Sequence, residues 1–151
     1  KEETFGMIGS PDKMWIVSSD PKQFTRRSIY LYQKRTFRMP MMEVFDAPEP
    51  MLTCPRREAS TTAPQSLTLL NGAFAMERAR ALAARAARES DDAAALRTIY
   101  RSVLLREPET KERERLVAFM AKQRTLAGSR DAALTEVARA ILNLNEFLYV
   151  D

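Results

Sequence analysis

The chain contains 151 residues, with 24 Lys plus Arg, 20 Asp plus Glu, one Cys and no His. Without His, these residues provide no imidazole base, no Ser-His-Asp or Cys-His catalysis and no His ligand for a metal. A single Cys likewise excludes an internal disulfide, a four-Cys zinc site and a CxxCH haem attachment motif. The length and the hydrophobic content of 45% are typical of one globular domain, and no apolar stretch is long enough to span a bilayer.

The net charge of +4 is divided evenly along the chain. Residues 1–65 carry 10 basic and 8 acidic side chains, and residues 66–151 carry 14 and 12. The two signs alternate closely, which is typical of a solvated surface and not of a one-sided nucleic-acid interface. We therefore do not expect nucleic acid as a partner.

The chain begins with Lys1, and its opening residues do not form a signal peptide. We interpret it as a fragment, or as the mature portion of a longer polypeptide. One thiol is compatible with either redox compartment, so composition does not decide the location.

Residues 1–65 are predicted to form an extended, Pro-rich arm. Seven of the eight prolines lie at or before Pro64, and proline interrupts a helix and restricts the residue before it. The apolar runs 14–17 and 29–32 favour a short two-stranded ribbon. The competing interpretation starts a helix at Asp20, which leaves residues 27–35 open between strand and helix.

Residues 66–151 are predicted to form a helical bundle, because 11 of the 23 residues from 73 to 95 are Ala. A capping box of Thr62 and Gln65 opens the first helix, with Leu67, Leu70 and Phe74 on one face. Asn71-Gly72 is expected to kink or break it.

The later helices are separated by clear start and stop signals. A long Ala/Arg-rich helix runs to about Glu89, Ser90 or Asp91 caps the next, and Thr110 opens another after Pro108. Gly128 and Ser129 separate that helix from the last one, and residues 143–149 form an apolar tail that docks on the core. The predicted buried stripes are Leu96, Ile99, Tyr100, Val103 and Leu104; Leu116, Phe119 and Met120; and Leu134, Val137, Ala138 and Ile141.

The predicted fold class is therefore mainly α. It is an antiparallel bundle of four to five helices with the Pro-rich arm packed on it, and the two parts make one domain.

Several ordered motifs resemble a known family. The segments are Arg26-Arg27-Ser28-Ile29-Tyr30-Leu31-Tyr32-Gln33-Lys34-Arg35, Val44-Phe45-Asp46-Ala47-Pro48, Cys54-Pro55-Arg56-Arg57-Glu58 continuing through 61–71, Leu105-Arg106-Glu107-Pro108-Glu109-Thr110, and Leu142-Asn143-Leu144-Asn145-Glu146-Phe147-Leu148-Tyr149. Together they resemble domain of unknown function 1553, the C-terminal domain of large multidomain proteins abundant in planctomycetes and related bacteria.

The resemblance implies an extracytoplasmic protein with further domains upstream, often including a cytochrome-c-like segment. It implies no activity and supplies no catalytic residues. We expect no cofactor in this chain, and any haem would be bound by an upstream domain.

The first candidate site is the basic run 22–38, in which Arg26, Arg27, Lys34 and Arg35 alternate with aromatic residues. Such a run is suited to binding a polyanion, because basic groups neutralise charge and rings stack. The interpretation we favour pairs these residues with carboxylates of the Pro-rich segment or with the upstream domain.

The second candidate site lies in the Pro-rich segment. Asp46 and Glu58 are the weak candidates for an acid and a base, and Arg56 and Arg57 for anion binding. They would act on polysaccharide, or in a redox reaction, in an active site completed by an upstream domain. The interpretation we favour is structural: Asp46 caps its own turn, the arginines fix the loop, and Cys54 is a small buried residue.

No metal site is predicted. The carboxylates of the Pro-rich segment match no calcium loop, and its methionines are expected to fill gaps in a core or an interface. The sequence thus predicts a non-catalytic structural or interaction module, with the upstream domain of the same polypeptide as partner and no membrane span.

Overall fold

The computed structural model describes residues 20, 23, 25–30, 39–49, 51–56, 60 and 62–148. These residues contain helices and no strand, which confirms the mainly α class. The helices are α1 (Pro40–Val44), α2 (Ala63–Asn71), α3 (Ala73–Ala86), α4 (Asp92–Leu104), α5 (Thr110–Ala127), α6 (Arg130–Ile141) and α7 (Asn145–Leu148).

Helix α6 lies at the centre of the bundle and packs against α3, α4 and α5. Short connections at 87–91, 105–109 and 128–129 join these four helices, as in bundles whose neighbours run antiparallel. Helix α2 packs beside α3, and α7 contacts α4. The predicted bundle is confirmed. No helix in the described residues combines the length and apolar character needed to cross a membrane.

The helix boundaries follow the predicted capping signals. Asp91 accepts a hydrogen bond from the Ala94 amide at 2.7 Å, and Ser129 accepts one from the Ala132 amide at 3.2 Å. Gly128 ends α5 in the left-handed conformation, at φ 73°, which glycine adopts without steric cost. These local bonds satisfy amides and carbonyls that a helix end would otherwise leave unpaired.

Gly72 separates α2 from α3, as predicted. Its amide donates to the Thr68 carbonyl at 2.9 Å and closes α2. A Cβ at this position would overlap the same carbonyl oxygen, so the close approach requires glycine. In contrast, α3 ends at Ala86 and not near Glu89. The chain continues in a turn in which the Glu89 amide donates to the Ala86 carbonyl. The carbonyls of Ala87 and Glu89 accept hydrogen bonds from Arg130.

Small residues bring the central helices together. Ala79, Ala83 and Ala86 of α3 are buried where α6 packs, and short side chains at such a contact allow helix axes to approach closely. The predicted stripes of α4 and α6 form the centre of this core. The buried apolar residues are Ala79, Ala83, Ala86, Ala95, Leu96, Ile99, Tyr100, Met120, Ala133, Leu134, Val137, Ala138 and Ile141.

One part of the sequence interpretation is corrected. Ile29 and Tyr30 belong to a 3-10 helix, Ser28–Tyr30, so the ribbon prediction is wrong at these residues. Its partner run, 14–17, and residues 31–32 lie outside the described residues. The division into an arm (1–65) and a bundle (66–151) stays a prediction for the same reason.

Helix α2 turns its apolar stripe away from the core. Leu67 and Leu70 are 56% and 40% exposed, and they do not join the core. The helix instead turns Gln65, which is 7% exposed, together with the half-buried Thr68 and Leu69, away from solvent. The apolar stripe read from the sequence is therefore the outer side of α2.

We expect Leu134→Ala to lower the free energy of unfolding by about 2–5 kcal/mol, because it leaves a cavity in the centre of the bundle. Leu126→Ala is the matched control, since Leu126 is 70% exposed on α5, and its effect should stay within about 0.5 kcal/mol. Urea denaturation of both variants measures the difference. Equal losses would contradict the described core.

Candidate functional site

A cluster of charged residues around Arg106 joins three helices; we call Arg106, Glu112, Glu146 and Tyr100 the Arg106 cluster. The Arg106 guanidinium donates to both oxygens of Glu146, at 2.6 and 2.8 Å, and to both oxygens of Glu112, at 2.8 Å each. It also lies 5.1 Å from the centroid of the Tyr100 ring. One side chain therefore ties the end of α4 to the starts of α5 and α7.

Local backbone geometry places Arg106 at this point. Leu105 ends α4 in the left-handed conformation at φ 58°, so the chain turns sharply just before Arg106. The Glu112 carboxylate also accepts the Glu109 amide at 2.8 Å, which closes a capping box at the start of α5. Two of the family-like motifs, 105–110 and 142–149, thus meet at one planar, doubly bidentate guanidinium.

The electrostatics of the Arg106 cluster keep its two carboxylates ionised and its tyrosine neutral near pH 7. Hydrogen bonds from Arg106 lower the pKa of Glu112 to about 2 and also lower the pKa of Glu146. Burial, reinforced by the adjacent Glu112 carboxylate, raises the pKa of Tyr100. A general acid or base works best with a pKa near the operating pH, and these three groups are shifted away from neutrality. The arrangement is suited to holding helices together.

A second cluster, consisting of Arg130, Asp92 and Arg124, closes the opposite end of α4, α5 and α6. Arg130 Nε donates to Asp92 Oδ1 at 2.7 Å, and Arg124 Nη1 donates to Asp92 Oδ2 at 3.2 Å. Arg130 Nη1 also donates to the Ala87 carbonyl at 3.0 Å. This Arg130 cluster connects the 87–91 loop to the starts of α4 and α6 and the end of α5.

Asp46, the candidate acid of the sequence analysis, connects the Pro-rich segment to α2. Its Oδ2 accepts from Gln65 Nε2 and from the Ser60 amide, both at 3.1 Å, and also from the Ser60 hydroxyl. Gln65 Oε1 accepts the Thr62 amide at 3.2 Å, so the capping box of α2 is part of the same network. Asp46 adopts φ 52°, which aspartate tolerates better than most residues. The carboxylate therefore bonds well beyond its own turn.

The other predicted site residues lie apart from this network or outside the described residues. Arg56 and Cys54 are exposed in a surface turn, and the Cys54 thiol donates to the Arg56 carbonyl at 3.1 Å. The expectation of a buried Cys54 is wrong, because the whole described segment 51–56 lies at the surface. No group of three or more acidic or thiol side chains in the described part of the chain is placed to hold a metal ion.

Of the basic run, the structure describes Arg26 and Arg27, which are both exposed. Arg27 donates to the Tyr30 hydroxyl at 3.3 Å and lies 5.5 Å from the centroid of the Tyr30 ring. Lys34, Arg35, Arg57 and Glu58 lie outside the described residues. The acid/base pair and the polyanion site therefore stay predictions.

The exposure of a surface on α2 and α3 was not predicted from the sequence. Leu67, Leu70 and Phe74, which is 43% exposed, place large apolar side chains in solvent around the break at Gly72. The sequence did contain a signal for it, because Gln65, Thr68 and Leu69 form a second face of α2 that points away from Leu67 and Leu70. The face with Leu67 and Leu70 gave the stronger apolar helical pattern. The role of Arg106 was also missed, because its partners are 6 and 40 residues away.

We expect Arg106→Gln to weaken the dependence of folding stability on pH below about pH 4.5. A carboxylate whose folded pKa is below its ordinary value of 4.5 stabilises the fold above that value, and this contribution is lost as pH falls towards about 2. Without Arg106, the Glu112 pKa should return towards its ordinary value. Thermal melts from pH 2 to 7 measure the change.

Arg97→Gln is the control for this experiment, because it removes an exposed pair with Glu107 that salt screens. Its melting curve should differ little from that of the parent chain at moderate salt. A parallel shift of the Arg106→Gln curve at every pH would contradict the role assigned to the carboxylates.

We expect Asp46→Ala to release the Pro-rich segment from α2. Loss of the acceptor for Ser60 and Gln65 should cost on the order of 1 kcal/mol and increase amide exchange at 42–49 and at Ser60. Asp46→Asn keeps a side-chain acceptor and tolerates the left-handed backbone, so its exchange should stay closer to that of the parent. Hydrogen–deuterium exchange distinguishes the two, and unchanged protection in Asp46→Ala would show that the tether is dispensable.

A family model described as PSD1, protein of unknown function (DUF1553), matches residues 4–120. The matched range contains the Pro-rich half, α2 to α4 and more than half of α5. No curated protein and no solved structure matches the chain. The match confirms the family predicted from the motifs and covers well over half of the sequence. The chain belongs to the DUF1553 family of proteins of unknown function.

Proposed function

We propose that this domain is a non-catalytic interaction module at the C-terminal end of a secreted, cytochrome-associated bacterial protein. It would hold the preceding part of the same polypeptide through the outer side of α2 and the start of α3. The exposure of Leu67, Leu70 and Phe74 carries this proposal. Neighbouring apolar side chains left in solvent around one helix break are typical of a surface that another protein element covers.

The state of the charged residues supports a non-catalytic role. The Arg106 and Arg130 guanidinium groups pair with carboxylates of the same chain, and Asp46 serves as an acceptor for Ser60 and Gln65. A reactive constellation would need a titratable group that faces an accessible substrate with a pKa near neutrality. The shifted pKa values found in the Arg106 cluster lie far from that range.

The cellular context rests on the family resemblance. Proteins with such a domain are expected outside the cytoplasm, with a cytochrome-c-like segment upstream that would bind the haem. This chain, with one Cys and no His, would then serve to position its neighbours and would bind no cofactor itself.

The proposal predicts that the preceding part of the polypeptide protects α2 and the start of α3. In the full-length parent protein, amides 66–76 should exchange at least about tenfold more slowly than in the isolated chain, because a covered helix opens less often. Leu67→Ser plus Leu70→Ser should abolish this difference, because it removes two apolar side chains that the preceding part of the polypeptide would cover. Both side chains are exposed in the isolated chain, so the substitutions leave its core unchanged.

Val117→Ser plus Leu126→Ser is the matched control, because it removes the same kind of exposed apolar side chain from α5. This pair should leave the protection of 66–76 intact. Equal exchange of 66–76 in the full-length protein and the isolated chain would refute the proposed interface.

A further inference from the structure

Helix α3 has two faces of different composition. Ala79, Ala83 and Ala86 face the core. The opposite side carries Phe74, Glu77, Arg78, Ala81 and Arg85, and Arg88 follows in the turn after the helix; we call these six residues the outer face of α3. Phe74 and Ala81 are seven residues apart, as are Arg78 and Arg85. A seven-residue repeat keeps side chains along one line of a helix, which is the spacing that a second helix packs against.

Most arginines of α4 to α6 and of their connections are engaged within the chain. Arg97, Arg106, Arg124, Arg130 and Arg139 all pair with carboxylates of their own chain. Within the described residues, Arg85 and Arg88 make no ion pair and no hydrogen bond through their side chains.

Arg78 is only weakly engaged. It lies 3.7 Å from the Glu77 carboxylate, and its guanidinium lies 5.4 Å from the centroid of the Phe74 ring. No acidic residue occurs between Arg78 and Arg88 in the sequence. The outer face of α3 thus carries two cationic groups without internal partners, Arg85 and Arg88, together with an exposed aromatic ring.

We propose that the outer face of α3 binds an acidic amphipathic helix. This inference rests on the proposed function and adds the chemistry of the partner. Phe74 and Ala81 would pack against apolar residues of that helix, and the short Ala81 side chain would let the two backbones approach closely. Arg78, Arg85 and Arg88 would pair with its carboxylates, for which guanidinium groups are well suited.

Other occupants fit this surface less well. A second copy of the chain would place the same arginines opposite one another, and like charges at an interface are unfavourable. A helix that lies on a membrane needs its apolar side free to enter the lipid, but the apolar side of α3 is buried in the core. An acidic helix satisfies both the charge and the spacing.

A three-heptad peptide with Leu at the a and d positions and Glu at e and g tests the proposal. We expect it to bind the complete chain with a Kd of about 100 µM or tighter and to shift NMR amide signals within 74–88. A peptide with Lys in place of Glu should bind at least about tenfold more weakly, and raising the salt from about 0.05 to 0.5 M should weaken the acidic peptide similarly.

Arg85→Glu plus Arg88→Glu should reduce affinity for the acidic peptide at least about tenfold. Arg85→Gln plus Arg88→Gln is the second variant, since it avoids negative charge at a helix end, and it should also weaken binding. The matched control is Arg113→Glu plus Arg115→Glu, which makes the same charge change on exposed positions of α5 and should leave binding unchanged.

Equal binding of the two peptides, or signal shifts outside 74–88, would overturn the inference. Binding to vesicles containing anionic phosphatidylglycerol without binding to the peptide would also overturn it, in favour of a lipid surface. If the full-length protein protects 66–76 but the acidic peptide does not bind, the proposed interface stands and the assigned partner chemistry is wrong. Peptide binding without that protection would instead count against the proposed function.

Discussion

The doubly bidentate contact of Arg106 with Glu112 and Glu146 is the constraint on which the bundle's geometry depends. It fixes where α4 ends, how α5 begins and where α7 returns. The central packing of α6 on the small residues of α3 depends in turn on helices held at correct angles, because alanine contacts are short and tolerate little displacement. The Arg130 cluster performs the equivalent task at the other end of the bundle.

This use of charge explains which parts of the domain are available for other roles. Six arginines of α4 to α6 and of their connections are engaged by carboxylates of the same chain, and Asp46 serves as a tether. The exposed apolar side of α2 and the outer face of α3 are among the described features that this internal pairing leaves over.

Much of the helical half could be predicted because its signals are local. Asp91, Ser129 and Gly128 act within four residues of the helix ends they determine, and the stripes of α4 and α6 are regular. The Arg106 contacts join residues up to 40 positions apart, so no window of sequence reveals them. At Leu67 the sequence identified an apolar face of α2 but not its exposure, since periodicity identifies a face but not the neighbour that covers it. The pairing of Asp46 with Ser60 and Gln65 is likewise invisible before the chain folds back.

The long sequence separation within the two arginine clusters also has a kinetic consequence. Glu146 and Asp92 lie about 40 residues from their guanidinium partners, so both clusters close only after α4, α5 and α6 have come together. We expect contacts of this kind to form after the rate-limiting step of folding, because closing a loop of about 40 residues costs conformational entropy. Weakening either cluster should therefore accelerate unfolding much more than it slows refolding. The unfolding rate of the domain would then depend on the two arginine clusters at the ends of the bundle, and its folding rate on the apolar core at the centre.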